Sequence, residues 1–98
     1  AMEGFGGNGK YDYSLAGRKF VGEVRLPSDL ETEEGRIVVD IMVDPRGNVV
    51  GASIGKGTTI DNAIMRREAI SAAKKNKFNS IDGSNNQYGS ITFIYKIK

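Results

Sequence analysis

The sequence contains neither cysteine nor histidine, and each absence excludes a class of chemistry. Without cysteine the chain can form no disulfide and no thiolate metal site. Without histidine it lacks the commonest general base and the commonest metal ligand of proteins. No run approaches the roughly 18 apolar residues of a membrane-spanning helix, and no signal peptide is recognisable.

Length and composition indicate one globular domain. The chain has 98 residues, of which 39% are hydrophobic and 27% are charged. Its net charge is only +2, but residues 1–50 carry six basic and nine acidic groups whereas residues 51–98 carry eight and three. Such an asymmetry can mark a nucleic-acid surface, although in a small domain it more often reflects a mixed surface.

A β-hairpin is the clearest element of the sequence. Apolar residues recur at every second position at Ile37, Val39, Ile41 and Val43, with Arg36, Asp40 and Asp44 among the intervening positions, and then at Val50, Ala52 and Ile54. That period of two is typical of half-buried strands. Between the runs, Pro45 presets the first corner of a turn and Gly47 can adopt the left-handed conformation that closes it. We expect a hairpin with a bulge at Gly47.

A helix should follow the hairpin. Thr58 is the expected N-cap, with Asp61 three residues later in a capping-box-like position. The residues expected on one side of the helix are Ala63, Arg66, Ala69, Ile70, Ala73 and Lys77, with Ile60 and Ile64 extending the apolar surface. The small alanines would let the helix lie close to a sheet, and Phe78 should enter the core at its end.

The last strand and the N-terminal part complete the predicted architecture. Residues 88–97 place Ile91, Phe93, Tyr95 and Ile97 on one face, which we assign to the core. Residues 10–15 suggest a short strand, and residues 20–26 should be irregular or partly extended. The predicted fold is therefore α+β, a three-stranded antiparallel sheet of order β-β-α-β with one main helix packed on one face and an extended N-terminal segment.

Two stretches resemble chemical sites without meeting their requirements. Residues 51–56 resemble a phosphate-binding loop, but three residues separate the glycines where the motif needs four, and Gly57 stands where a hydroxyl must reach Mg²⁺. The acidic side chains Asp29, Glu31, Glu33 and Glu34 lack apolar neighbours that could raise a pKa. They also lack calcium-loop spacing. We therefore expect no enzyme, no cofactor and no metal site.

Nucleic-acid binding is the alternative function that the residues leave open. It is supported by the basic second half and by the aromatic residues Phe93 and Tyr95. A sheet that binds RNA shows its aromatic residues to solvent, whereas these two share a face with Ile91 and Ile97. We therefore expect them in the core and no nucleic acid among the partners.

The last strand is the remaining candidate site. If the two hairpin strands pair with each other, the last strand pairs with only one of them and can leave its other edge open. An open edge offers free N–H and C=O groups to an extended peptide. Alternatively, Lys96 and Lys98 protect that edge or the N-terminal segment around Tyr13 covers it.

Three stretches in this order resemble the TonB C-terminal domain. Residues 35–49, GRIVVDIMVDPRGNV, are similar to the family pattern G-x-V-x-V-x-x-x-V-D-x-x-G-x-V. Residues 69–78 match its alanine-rich helix followed by phenylalanine, and residues 89–97 match its terminal strand. Residues 13–18, YSLAGR, resemble the version found in Bacteroidetes-type energy transducers. The resemblance covers about residues 13–98.

The resemblance implies an energy transducer of the Gram-negative envelope. Such proteins are anchored in the inner membrane by an N-terminal helix, driven by the ExbB–ExbD proton-motive complex, and reach across the periplasm. Their C-terminal domain captures the TonB-box peptide of a TonB-dependent outer-membrane transporter as an added strand. The family's peptide-binding residues map onto Ser90, Ile91, Thr92, Phe93, Ile94, Tyr95 and Lys96. Residues 1–9 would be a flexible leader and residues 10–98 the domain, and pairing of two domains through edge strands is left open.

Overall fold

The computed structural model describes residues 5–7, 11–27 and 33–96, with side chains described from residue 11 onward. Within these ranges the chain forms five strands and one helix. They are β1 (Phe5–Gly7), β2 (Tyr11–Ser14), β3 (Gly35–Val43), β4 (Val49–Ile54), α1 (Ala63–Lys75) and β5 (Gln87–Tyr95). The general α+β class is confirmed.

The strands form one antiparallel sheet with the spatial order β1-β2-β5-β3-β4. The prediction of three strands is wrong, because the N-terminal segment adds β1 and β2 to the sheet beside β5. The short strand expected over residues 10–15 is confirmed as β2. Phe5–Gly7, which we expected within a flexible leader, pairs with β2 as a three-residue strand.

The hairpin of β3 and β4 agrees with its sequence pattern in β3 but not fully in β4. Val50, expected on the face of Ala52 and Ile54, is 51% exposed, and Val49 packs against the core instead. Ile37, Val39, Ile41 and Val43 are all buried. Gly47 has a φ of +96° and lies against the backbone of Phe78, where a side chain has no room. The bulge is not at Gly47, since Met42 pairs with Gly51 and Val43 with Val49, which leaves Val50 as the extra residue.

Helix α1 begins later than expected. Its N-cap is Asn62, whose side-chain oxygen accepts the N–H of Met65 at 3.0 Å. Thr58 instead bonds to the edge of β3, where its Oγ1 accepts the Val38 N–H at 2.9 Å. The Oγ1 of Thr59 likewise accepts the Arg36 N–H at 2.9 Å. The prediction that Thr58 caps the helix is therefore wrong.

The core lies between the sheet and α1. The helix contributes Met65, Ala69, Ala72 and Ala73, so the predicted apolar face is correct at Ala69 and Ala73 but not at the exposed Ala63 and Ile64. Ile60 and Phe78 are fully buried, as expected. No helix formed by the described residues covers the opposite face of the sheet, which presents alternate residues of every long strand to solvent.

Candidate peptide-binding strand

Strand β5 lies in the interior of the sheet. One flank pairs with β3 along the full length of both strands, from Gly35 opposite Tyr95 to Val43 opposite Gln87. The other flank pairs with β2, from Tyr11 opposite Phe93 to Ser14 opposite Ser90. The expectation of an open edge is therefore wrong over residues 90–93, and the alternative, in which the segment around Tyr13 covers it, is confirmed.

The direction of the backbone groups shows which residues of β5 face β2. The N–H of Gly55 donates to the carbonyl oxygen of Val38 at 2.8 Å, so Val38 faces β4 and the adjacent Val39 faces β5. Its partner Ile91 therefore bonds to β3. By alternation, the residues of β5 that direct their backbone groups to the other flank are Ser90, Thr92 and Ile94. Ser14 and Asp12 of β2 lie opposite the first two.

A glycine lets β2 approach β5 closely. A Cβ atom on Gly89 would collide with the carbonyl oxygen of Ser14 and come within 2.8 Å of Cδ1 of Leu15. Leu15 is itself only 2% exposed. The bare backbone of Gly89 is therefore needed for the close contact with β2, and no sequence pattern marks this glycine.

Aromatic rings cover the core side of β2. The Tyr13 ring meets the Phe20 ring with a centroid distance of 4.6 Å, and Phe20 stacks on Phe78 at 4.6 Å. Tyr11 contacts Phe20 edge-on at 5.8 Å. Burial, helped by the nearby Tyr11, raises the pKa of the Tyr13 phenol, whose hydroxyl donates to the carbonyl of Arg18 at 3.2 Å.

A buried arginine fastens the chain that follows β2. Arg18 is fully buried, and its Nη1 and Nη2 donate to the carbonyl oxygens of Asn79 at 2.9 Å and Asp44 at 2.8 Å. Burial lowers the pKa of Arg18, an effect that the Asp44 carboxylate opposes. The arginine thus joins the N-terminal segment to the hairpin turn and to the loop after α1.

Further backbone bonds hold the same segment along the end of α1. Val21 N–H donates to the carbonyl of Lys77 at 2.8 Å, and Asn79 N–H donates to that of Lys19 at 2.9 Å. The Asn76 side chain accepts the N–H of Arg25 at 2.7 Å and donates to its carbonyl at 3.1 Å. Residues 15–25 are therefore tied to the core more firmly than β2 itself.

The predicted site residues have two different environments. Ile91, Phe93 and Tyr95 are core residues, which confirms their predicted burial. Ser90, Thr92 and Ile94 are half-buried on the face without the helix. Ile94, Tyr95 and Lys96 extend past Tyr11, and with Glu34, Gly35 and Arg36 they line an open hollow of about 560 Å³.

The other candidate chemistries receive no geometric support. Residues 51–54 belong to β4, and the Gly55 N–H is used in the bond to β3, so this stretch is a strand exit. Of the acidic stretch, Asp29 and Glu31 lie outside the described residues. In the described part of the chain no three side chains of His, Cys, Asp or Glu come together as metal ligands. None of the helices described there has the length and apolar character for crossing a membrane.

Comparison with known proteins gives no further assignment. No known protein family matches the sequence, no curated protein is significantly similar to it, and no solved structure matches the fold significantly.

Proposed function

We propose that this chain is the periplasmic C-terminal domain of a TonB-type energy transducer, which captures the TonB-box peptide of an outer-membrane transporter by strand addition. The observation that carries the proposal is the order and spacing of the three family-like motifs. They fall on the β3–β4 hairpin, on α1 with Phe78, and on β5. The α+β class of the fold is consistent with it.

In this proposal β5 is the strand that receives the peptide. Backbone groups within residues 90–96 would supply affinity, and alternate side chains would supply specificity. The domain would then pass a pull from the ExbB–ExbD complex to the transporter plug, with no bond made or broken on its own residues. A transducer of this kind also requires a membrane anchor and a periplasmic linker.

Because both flanks of β5 are already paired, binding of a peptide to this strand requires that a neighbouring strand be displaced. Over residues 90–93 a peptide must take the place of β2, since an antiparallel strand has only two flanks and both are occupied. Around Ile94 and Lys96 the described part of β2 gives no opposing residue.

Titration of the isotope-labelled chain with synthetic TonB-box peptides tests the proposal. We expect the amide signals of Ser90, Thr92 and Ile94 to shift, because their backbone groups face the exchanged flank. A peptide with proline at alternate positions, which lacks the N–H groups for the ladder, is the matched control. Shifts confined to distant loops would show that the site is wrong, and no shifts with any such peptide would contradict the function.

Nucleic-acid binding is the competing function, and only the basic second half favours it. Phe93 and Tyr95 cannot stack on bases, because they are 1% and 6% exposed. The peptide proposal predicts that single-stranded oligonucleotides are not retained at low salt. Retention that falls steeply as salt is added would favour the alternative.

A further inference from the structure

Strand β2 occupies the flank of β5 to which the proposed function assigns a peptide. We infer that β2, residues 11–14, is an internal stand-in for that peptide, so that the chemistry of β2 defines the ligand class. The ligand is an extended segment antiparallel to β5, with bulky aromatic or aliphatic side chains at alternate positions and polar ones between. This inference rests on the proposed function.

The core side of β2 specifies the alternate bulky positions. Tyr11 and Tyr13 lie on this side, each half-buried and each with its ring edge against Phe20. Leu15, two residues further, is buried in the core and lies outside the exchanged strand. A peptide in the same place would contact the same surface, so apolar side chains spaced two residues apart should bind best.

The opposite side of β2 specifies the polar positions. Asp12 and Ser14 are exposed on the sheet face without the helix, beside Thr92 and Ser90. Any hydrophilic side chain fits there, because solvent rather than protein surrounds it. Gly89 adds a backbone condition, since the replacing strand must approach it as closely as Ser14 does.

The attachment of the N-terminal segment changes abruptly at Leu15. Tyr11–Ser14 are held by a four-residue ladder and by half-buried rings. Beyond Leu15, the buried Arg18 and the bonds of residues 19–25 to residues 76–79 hold the chain in place. β2 can therefore leave β5 while residues 15–25 stay, and the core remains covered by Leu15 and Phe20.

Because β2 already occupies this flank of β5, the apparent affinity for any added peptide is lowered. A peptide binds only the fraction of molecules in which β2 has left, so its apparent dissociation constant rises in inverse proportion to that fraction. Weakening β2 should strengthen peptide binding, which is opposite to the effect of weakening an ordinary binding surface.

A reversible disulfide provides the test, because the native chain has no cysteine. Asp12 and Thr92 are paired across β2 and β5 on the exposed face, at a Cα separation of about 5.5 Å expected for such pairs. The double variant D12C/T92C therefore locks β2 when oxidised and frees it when reduced. The control is D40C/S53C, which places the same link between β3 and β4.

The probe is a synthetic peptide with the sequence of residues 10–16, KYDYSLA. We expect reduced D12C/T92C to bind it with shifts of the backbone amides at positions 90, 92 and 94, and the oxidised form to bind it at least about tenfold more weakly. The control variant should bind equally in both states. Equal binding by the locked and unlocked forms would overturn the inference.

A second variant keeps the test decisive if binding to the unlocked form is weak. Tyr11→Ser removes one ring contact with Phe20 at the N-terminal end of β2 and should tighten peptide binding about three- to tenfold. Tyr88→Ser, at a tyrosine that is 81% exposed, is the matched control and should change nothing. If Tyr11→Ser does not bind the KYDYSLA peptide, β2 is not a stand-in. TonB-box peptides that bind the locked form would leave the proposed function standing without strand exchange.

Discussion

The two flanks of β5 are closed in different ways. The β3 flank is a nine-residue ladder whose core-facing side chains, such as Ile37 and Val39, are fully buried. The β2 flank has a ladder of four residues with half-buried tyrosines. Its stability depends on contacts outside the ladder, from Leu15 to Arg25. A long ladder can hold a strand by itself, whereas a short one needs a neighbouring anchor.

The largest effect should come from removing that anchor. In Arg18→Ala the carbonyl oxygens of Asp44 and Asn79 lose their charged donor and a cavity forms, which should cost about 3 kcal/mol of unfolding free energy. Urea denaturation gives the value. Arg67→Ala, at an exposed helix position, is the control and should stay within about 0.5 kcal/mol. Equal losses in the two variants would show that Arg18 is not an anchor.

A smaller and more selective effect should follow Gly89→Ala. The new Cβ collides with Ser14 but leaves the ladder with β3 intact, so we expect a loss of about 1–3 kcal/mol. Hydrogen exchange should become faster at Asp12 and Ser14 and remain slow in β3.

Gly51→Ala is the matched control for the glycine at position 89. A Cβ there meets Met42 at an ordinary 3.7 Å, so stability should change by less than about 0.5 kcal/mol. If Gly89→Ala destabilises β3 as much as β2, the two flanks are not independent.

The smallest effect should be the loss, in acid, of the stabilisation that the Asp44 carboxylate gives to the turn after β3. The backbone N–H of Asn48, at 2.8 Å from Oδ1, holds the pKa of Asp44 below its usual value. The stabilisation is therefore present above the pKa of an unfolded aspartate and is lost as the pH falls through the lower, folded pKa. Urea midpoints of wild type and Asp44→Asn should differ at neutral pH and converge in acid. A constant difference at every pH would contradict this.

Local patterns were sufficient to predict the elements whose partners are close in sequence. The alternation from Ile37 to Val43 and the turn at Gly47 predicted the hairpin, because its strands are joined by that turn. The helix start was misplaced because Thr58 and Asn62 are both good N-caps. Only the tertiary position of Thr58 beside the edge of β3 shows that its hydroxyl oxygen already accepts the Val38 N–H, which leaves Asn62 as the cap.

The candidate site was harder to predict, because its decisive contacts join the two ends of the chain. Alternation at Ile91, Phe93 and Tyr95 correctly identified the core face of β5. That alternation does not show whether β5 has a neighbouring strand on one flank or on both. Gly89 had no sequence signal, and Arg18 resembled any surface arginine. The resemblance of residues 13–18 to a TonB-type motif suggested that the N-terminal segment belongs to the domain, but it did not indicate which strand this segment would pair with.

The pairing of β2 with β5 also affects the order in which the molecule forms. Tyr11 and Phe93 are separated by nearly the whole chain, so closing that loop costs more entropy than closing the hairpin turn. The hairpin and α1 should therefore assemble early, with the N-terminal tyrosines docking as the final step. On a ribosome, residues 11–14 emerge before their partner strand exists and must wait for it to be synthesised.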